Sequence, residues 1–453
     1  MLFSLTNPEV AIMMMGIFLF AVLLGFPIAF TLMAMGLGFG YYAYFDPTKM
    51  EHLFDNRIFQ LFVQNTYTVM DNNVLTAVPL FLFMGYLVER AGIVAKLFFA
   101  IRLASHKLPA SMAVAALITC ALFSTATGII GAVVTLMGLL AWPAMIKAGY
   151  DKKFASGIIC SGGCLGILIP PSIMLIVYSV IAQLSPLRLF AAAIFPGLML
   201  AGLYIGYAIF RAWLNPSIAP KPAAEEIPPT AVIMKEVLIS FLPLFSLIIL
   251  VLGTILAGIA TPAEAAAVGA FGSLVLSYFY KTLKWKNFKE SVFLTAKTTA
   301  MIMWLFIGSW TFASVFSYLG GHEVFEHFFK SLNLQPWQFL VITQLIIFLL
   351  GWPLEWTEIL IIFVPIFLPL VEFFGVNPYF FAMLIALNLQ TSFLTPPMAM
   401  SAYYLKGVQS KNVELMQIFS GIMPFLGIVI LAMVLMYLFP GIALWLPETL
   451  FAN

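Results

Sequence analysis

The residues of this chain that point most directly to a function are glycines and prolines inside two apolar segments, because they free backbone groups that can bind a ligand. The segment Cys160–Ser172 contains three glycines followed by Pro170 and Pro171, and the segment Asn388–Pro397 ends in a second Pro-Pro pair. Glycine weakens a helix, and proline lacks the N–H group that would continue it. Both segments therefore release backbone groups from helical hydrogen bonds. Within a membrane such groups persist only where they are buried in protein or line a cavity, and there they can bind an ion or a polar solute.

The composition places these segments in a membrane. The chain has 453 residues, of which 63% are hydrophobic and 9% are charged, against roughly 25% charged in soluble domains. The apolar runs are long and lack a period of two, so we expect an all-α integral membrane protein rather than a barrel. The sequence offers no convergent nucleophile, base or metal-binding cluster. Neither an enzyme, a resident cofactor nor a nucleic-acid partner is therefore expected.

A Pro-rich polar linker at 216–233, predicted to be cytoplasmic, divides the chain into two halves. Seven helix-interrupting residues of the first half recur in the same order in the second: Pro27/Pro262, Gly92/Gly320, Pro143/Pro369, Gly149/Gly375, Pro170/Pro396, Pro171/Pro397 and Pro196/Pro424. Four of these pairs share one offset of 226 residues. The frequency of Gly and Pro in membrane helices is a poor explanation for such regularity. We therefore expect two structural repeats.

The two predicted repeats have the same order of elements. Repeat 1 (1–215) is expected to contain scaffold helices at 9–103, a re-entrant hairpin at 110–148, a broken helix at 153–183 and a helix at 189–212. Repeat 2 (234–453) is expected to contain scaffold helices at 236–318, a hairpin at 338–372, a broken helix at 378–405 and a helix at 414–439. With non-crossing hairpins, each repeat crosses the membrane five times. An odd number of crossings inverts one repeat relative to the other.

The distribution of basic residues predicts how the chain is oriented in the membrane. Five regions (90–107, 147–153, 211–235, 281–297 and 406–411) contain 17 of the 21 Lys and Arg residues. Because basic residues favour the cytoplasmic side, these regions are assigned to the cytoplasm and both termini to the outside. Inverted repeats with paired broken helices are typical of secondary transporters.

Polar groups near the two breaks predict an ion site in each repeat, with an anionic substrate between them. Carbonyl groups near Gly162–Gly166 and Asn388–Thr391 can replace the hydration shell of a small cation. Hydroxyl and amide groups add to them at Ser124, Thr125, Thr127, Ser172, Thr357, Gln390, Thr391 and Thr395. The N–H groups that follow Ser172 favour an anion. Helix–helix packing also favours Ser and Thr, and this alternative stays open for the hydroxyls.

Three carboxylates call for separate interpretation. Glu355 and Glu358 flank the second hairpin tip, and a carboxylate at membrane depth is usually functional. Glu355 is therefore a candidate cation ligand or coupling proton site. Glu264 differs, because Thr261-Pro-Ala-Glu264 predicts a capping box with proline at the first helical position. For Glu264 we expect a structural role.

Three motifs, Leu165–Ser172, Gly258–Ala265 and Leu389–Pro397, resemble the large membrane subunit of tripartite ATP-independent periplasmic (TRAP) transporters. The resemblance runs nearly end to end. It implies a sodium-driven, elevator-type importer of organic acids in the bacterial inner membrane. It also implies two partners on separate chains, a small four-helix membrane subunit and a periplasmic substrate-binding protein.

The resemblance also implies site residues, at Ser124–Gly128, Gly162–Ser172, Gly351–Thr357 and Asn388–Pro397. The predicted sodium ligands are then Ser124, Thr125, Thr127, Gly128, Gly162, Gly163, Gly166, Gly351, Glu355, Thr357, Asn388, Gln390 and Thr391. The predicted substrate contacts are Thr127, Pro170, Pro171, Ser172, Thr395, Pro396 and Pro397. One departure concerns Glu355, because many relatives have Asp at this hairpin tip.

The alternative is a stand-alone sodium/dicarboxylate symporter, or an ion antiporter, of the same broad superfamily. Such proteins share inverted hairpins and proline breaks but need no periplasmic partner. The motifs Thr261–Glu264 and Leu389–Ser392 favour the tripartite family. A passive channel would not need two repeated broken helices.

Overall fold

The computed structural model describes residues 6–48, 50–220, 229–409 and 413–451. Over these residues every regular element is a helix, which confirms the all-α prediction. Part of the predicted linker (221–228) lies outside the described residues, as do Lys49, Lys221 and Lys411, which entered the charge argument.

Ten α-helices precede the linker. They are α1 (Asn7–Leu23), α2 (Ile28–Ala43), α3 (Arg57–Met70), α4 (Ala77–Arg90), α5 (Ile93–Ala104), α6 (Ser111–Thr127), α7 (Ile130–Lys147), α8 (Lys152–Cys164), α9 (Ile173–Ala182) and α10 (Pro186–Leu214). Short 3-10 turns lie at Leu53–Asp55, Leu165–Ile167 and Pro216–Ile218.

Eleven further helices come after these, and the first of them begins at Thr230, inside the range 216–233 predicted as linker. They are α11 (Thr230–Leu256), α12 (Pro262–Phe279), α13 (Trp285–Tyr318), α14 (Gly321–Ser331), α15 (Pro336–Leu350), α16 (Trp356–Glu358), α17 (Val364–Phe373), α18 (Pro378–Leu394), α19 (Met400–Val408), α20 (Leu415–Leu438) and α21 (Gly441–Leu450). A π-helical turn, Ile359–Phe363, joins α16 to α17.

The chain is a multi-pass membrane protein. Of the described helices, seven are long and apolar enough to cross a bilayer, and an eighth span results if α4 and α5, bent by 64°, count as one. The seven include α7 and the segment Trp356–Phe373, which are limbs of the predicted hairpins. Length alone therefore does not distinguish a hairpin limb from a span, and the re-entrant hairpins, the inverted repeats and the elevator arrangement stay predictions.

Local sequence explains how the scaffold helices begin and end. Gly92 and Gly320, which are paired in the sequence, both have positive φ (67° and 80°) and stand directly before α5 and α14. Glu264 accepts a hydrogen bond from Thr261 N (2.8 Å), and Thr261 Oγ1 accepts one from Glu264 N (3.3 Å). The predicted capping box is confirmed, with Pro262 as the first helical residue.

The first half has two helices, α3 and α4, before its bend, where the second half has the single 34-residue helix α13. The interruption lies at Asn72. Its Oδ1 accepts hydrogen bonds from Val74 N (3.0 Å) and Leu75 N (3.1 Å). A side chain that bonds nearby backbone N–H groups competes with the helix for them, so the chain turns between α3 and α4.

Small residues bring the long helices together. A methyl group at Gly157 of α8 would overlap the carbonyl of Gly421 on α20, and one at Gly421 would overlap the carbonyl of Lys153. On the scaffold side, a methyl group at Gly308 of α13 would lie 2.7 Å from the Ala29 carbonyl oxygen of α2. Such close backbone approach is the usual way in which helices associate in lipid.

We expect Gly421→Ala to destabilise the protein, because the added methyl group would force α20 away from α8. Overpacking of this kind costs roughly 1–3 kcal/mol. Thermal unfolding of the purified protein in detergent should show a midpoint several degrees lower. The control is Gly427→Ala on the same helix, which has nothing within 4 Å of the new methyl group. Equal midpoints for the two variants would contradict the close approach.

Candidate functional site

The first break lies between α8 and α9 and is enclosed by protein. After the 3-10 turn at Leu165–Ile167 the chain passes through the cis pair Pro170-Pro171. Ser172 Oγ donates a hydrogen bond to the Ile167 carbonyl (2.5 Å) across the break. All residues from Gly162 to Ser172 are buried. The freed backbone of this break is therefore available only to a group inside the protein.

The second break lies between α18 and α19 and is more open. Pro396 and Pro397, also a cis pair, are exposed, whereas the prolines of the first break are buried. Ser401 Oγ donates to the Phe393 carbonyl (2.6 Å), so α19 is tied back to the end of α18. The two sets of predicted substrate contacts thus lie in different surroundings, one enclosed and one open.

The tip of the first hairpin packs directly on the first break. A methyl group at Gly166 would lie 2.7 Å from Ser124 Cβ, so glycine is what allows this approach. Gly128, at the turn between α6 and α7, has φ +61° and faces Ile173, the first residue of α9. On the other side of the tip, the backbone of Thr127 lies against Gly85 of α4.

The tip of the second hairpin packs in a similar way on α18. A methyl group at Gly351 would lie 2.8 Å from Ser392 Cβ. Further from the tip, Gln344 of α15 contacts Asn388 of α18. The Asn388 side-chain amide donates to the Gln344 carbonyl (2.7 Å) and to Gln344 Oε1 (2.9 Å). Two direct side-chain bonds thus join α15 to α18, one turn before the predicted ligand Thr391.

Each broken helix also contacts the hairpin of the other half. The half-helix α9 packs on the π-helical turn and α17, and the half-helix α19 packs on α7. Tyr404 of α19 lies against Gly131 at the start of α7. The predicted site residues therefore belong to one contiguous region formed by two hairpins and two broken helices.

Hydrogen bonding separates the predicted polar ligands into two groups. Some hydroxyls are engaged with nearby carbonyls: Thr125 with Leu122 (2.6 Å), Thr127 with Phe123 (3.2 Å), Thr391 with Asn388 (2.7 Å) and Thr395 with Thr391 (2.8 Å). Others are buried without a partner, namely Ser124 Oγ, Thr357 Oγ1 and both amide atoms of Gln390. A buried polar atom without a partner is costly, so the second group is where a bound ion or water would contribute most.

The carboxylates of the second hairpin have no basic counterpart. Glu355 is partly exposed at the start of α16, and Glu358 is buried. Neither forms an ion pair with a residue of the described ranges. The side-chain charge at this hairpin tip is thus negative, and it would attract a cation.

Sequence reasoning missed two residues of this region. Gln344 is the only amide in the apolar run Phe339–Leu350, and that isolation is a signal that could have identified it. Tyr404 carries no such signal, because tyrosines are common at membrane interfaces. Only the packing of α19 on the first hairpin shows that its side chain reaches Gly131.

Comparison with known proteins gives the family. Residues 15–442 match the family model described as "Tripartite ATP-independent periplasmic transporter, DctM component". A C4-dicarboxylate TRAP transporter large permease protein of Pseudomonas aeruginosa is 28% identical, over 85% of this chain and 88% of the relative. A sialic acid TRAP transporter large permease protein of Vibrio cholerae is 30% identical, over 84% of this chain and 87% of the relative.

Among solved structures, the YdaH transporter of Alcanivorax borkumensis has a similar fold, with a TM-score of 0.61 at 15% identity. The match covers 92% of this chain and 98% of that one. At this identity the likeness concerns the fold alone. The family model, by contrast, matches nearly the whole chain, and the chain therefore belongs to the DctM-component family of TRAP transporters, as a large permease subunit.

Proposed function

We propose that this permease carries an organic acid anion into the cell across the inner membrane and that inward sodium flow drives the transport. The observation that carries the proposal is the seating of both hairpin tips on interrupted helices, Ser124 on Gly166 and Gly351 on Ser392. Relatives are named for a C4-dicarboxylate and for sialic acid, which are both organic acids. An organic acid anion is accordingly the substrate class proposed here.

Sodium suits the donor groups at the two tips. These groups are backbone carbonyls, hydroxyls and a carboxylate, all of which are oxygen ligands for a hard cation. Ser124 Oγ and Thr357 Oγ1 are buried without partners, so each can bind an ion without losing an existing bond. Coupling is also favourable energetically, since each positive charge that moves inward gains about 2.3 kcal/mol per 100 mV.

The substrate would bind between the ends of the half-helices. The half-helix α9 begins after Ser172, and its first N–H groups have no helical acceptor, a geometry that favours an anion. Bound cations would supply the positive charge that these breaks lack. The exposed Pro396-Pro397 pair provides the open side of the site in this conformation.

The proposal includes an elevator movement, an orientation and two partners. The hairpins, the broken helices, α10 and α20 would move together against a scaffold built from α1–α4 and α11–α13. Both termini would be periplasmic. A small four-helix membrane subunit would extend the scaffold, and a periplasmic binding protein would deliver the substrate. Family membership supports these partners.

We expect the protein, reconstituted with its two partners, to take up an organic anion only under an inward sodium gradient. Replacing external sodium with potassium or choline should reduce uptake to the level of empty liposomes. Radiolabelled C4-dicarboxylate and sialic acid are suitable first substrates. Uptake that persists in potassium would contradict sodium coupling, and uptake without the binding protein would favour a stand-alone symporter.

We expect Gly166→Ala to reduce uptake about tenfold or more, which corresponds to about 1.4 kcal/mol. The new methyl group would lie 2.7 Å from Ser124 Cβ and displace the first hairpin tip from the break. A bulky residue at Ser124 or Thr127 should have the same effect. The control is Gly202→Ala on α10, where the methyl group meets nothing within 4 Å. Normal uptake by Gly166→Ala at equal expression would move the ion site elsewhere.

A further inference from the structure

Four exposed lysines lie close together in the chain where α12 is joined to α13. Lys281 and Lys284 belong to the turn between the helices, and Lys286 and Lys289 to the first turns of α13. Trp285, the first residue of α13, lies among them and is 76% exposed. Lysines beside an exposed tryptophan are typical of a segment at a membrane surface, where the ring enters the headgroup layer and the charges face phosphate.

Hydrogen bonds fix the shape of this turn. Lys281 has a positive φ of 57°, and the backbone N–H groups of Thr282 and Leu283 both donate to the Ser277 carbonyl (3.0 and 3.1 Å). From the other side, the Asn287 side-chain amide of α13 donates to the Thr282 carbonyl (2.9 Å). The turn is therefore tied to both helices, and its lysines extend from a fixed backbone.

Two neighbouring helices contribute to the same surface. The Lys96 ammonium group of α5 lies over the ring of Tyr280, 4.9 Å from its centroid, at the start of the turn. Trp285 stacks on Phe288 with 5.7 Å between ring centroids, and Phe288 meets Phe83 of α4 edge to face at 5.9 Å. The exposed indole is thus held by packing. The five lysines are called the lysine surface below: Lys96, Lys281, Lys284, Lys286 and Lys289.

The surrounding elements offer little negative charge to offset these lysines. Neither α5 nor the turn has an acidic residue. The only acidic residue of α12 is Glu264, at the opposite end of that helix, and the only one of α13 is Glu290, which forms an ion pair with Arg90 of α4. Glu89 of α4 adds one further carboxylate. The lysine surface therefore has an excess of positive charge and is complementary to an anionic partner.

The length of α13 places this surface at the edge of the bilayer. The helix has 34 residues and is therefore about 51 Å long, whereas the hydrocarbon core is about 30 Å thick. All of its charged residues lie within 285–297, and 298–318 has none. The uncharged part is long enough to cross the core, so the charged first turns extend into the headgroup layer. In the proposed orientation this layer belongs to the cytoplasmic leaflet.

The order of side chains along α13 favours a lipid over a protein helix as the occupant. After the lysines, the exposed face of the helix continues through Val292, Phe293 and Ala296. Positive charge is thus followed by apolar surface in the direction of the core. A phospholipid has the matching order, with a phosphate followed by acyl chains. A protein helix would need carboxylates of its own at the depth of the lysines.

We propose that the lysine surface and Trp285 bind an anionic phospholipid, with the phosphate held by the lysines and the indole packed beside the glycerol and the first acyl carbons. Because Lys96 belongs to α5 and the other lysines to the turn and α13, a lipid bound there joins these elements at the bilayer surface. The site is independent of the proposed sodium coupling, and either can fail without the other.

The test uses the purified full-length permease in an uncharged detergent. Thermal unfolding is measured while phosphatidylglycerol is added, with phosphatidylcholine, whose headgroup has no net charge, as the comparison lipid. A ligand that binds only the folded state raises the midpoint with its concentration. Three variants remove parts of the surface: Lys281→Gln with Lys284→Gln, Lys286→Gln with Lys289→Gln, and Trp285→Ala alone.

The matched control is the double variant Lys152→Gln with Lys153→Gln. These two lysines are also exposed and are assigned to the same side of the membrane. The aromatic residues near them, Tyr150 and Phe154, are buried, so no ring is available there to enter the headgroup layer. The control therefore removes an equal amount of exposed positive charge from a surface that lacks the aromatic anchor.

We expect phosphatidylglycerol to raise the midpoint of wild type and of the control equally, and phosphatidylcholine to raise neither comparably. Each lysine pair of the surface should increase the lipid concentration needed for half of the rise about tenfold or more, because each lysine near a lipid phosphate strengthens binding. Trp285→Ala should increase it about threefold. Without lipid, all midpoints should equal that of wild type, since the substituted side chains are exposed.

Four outcomes would overturn the site. An equal rise with phosphatidylcholine would show that the anionic headgroup is not recognised. Unchanged half-points in both lysine pairs, or an equal loss in the control, would reduce the effect to a general attraction between positive protein and negative lipid. An unchanged half-point in Trp285→Ala would contradict the role of the indole. Loss of the lipid response on addition of the small membrane subunit would show that the surface is a protein interface instead.

Discussion

The structure depends on one constraint, which is that backbone groups released at membrane depth must be covered by protein. At Pro170-Pro171 and Pro396-Pro397 two helices stop inside the apolar interior, and lipid offers no hydrogen bonds to their ends. The hairpins provide the cover. Ser124 lies on Gly166 and Gly351 lies on Ser392, in each case through a glycine that permits the contact. The same contacts that cover the breaks bring carbonyls, hydroxyls and carboxylates together, and these are the groups of the proposed ion sites.

The two helix breaks differ in how completely the surrounding protein buries them. The first break is buried throughout and carries a hydrogen bond across it, from Ser172 to Ile167. At the second break the prolines are exposed, and the tip of the hairpin that packs on α18 has two carboxylates, Glu355 and Glu358, that form no ion pair with a described residue. Cation binding would therefore affect the second hairpin more strongly, because it relieves an uncompensated charge as well as filling a ligand set. The first break is thus enclosed by protein, whereas the second is open at its prolines.

Close packing between long helices holds the hairpins and broken helices in place. Gly157 and Gly421 let α8 and α20 touch through their backbones, which fixes the broken helix of the first half against the last long helix of the second. Gly308 does the same for the scaffold pair α2 and α13. In a bilayer there is little hydrophobic gain in bringing apolar helices together, so van der Waals contact between such surfaces must hold them. Gly157, Gly308 and Gly421 therefore lie at helix contacts, whereas the paired Gly92 and Gly320 lie at turns, where their positive φ is what requires glycine.

The sequence by itself determined the helical class, the positions of both breaks, the capping box at Thr261–Glu264 and the family, because each depends on local residue chemistry or on motifs. The division into two repeats, each with a re-entrant hairpin and a broken helix, stays a prediction, as do their inverted relation and membrane orientation. Only the tertiary structure decided that Ser124 meets Gly166, that Asn388 is held by Gln344 and that Tyr404 reaches the first hairpin. It also showed that Glu358 is more deeply buried than Glu355. Burial and partnership depend on contacts between residues far apart in the chain, and hydrophobic pattern alone carries no information about them.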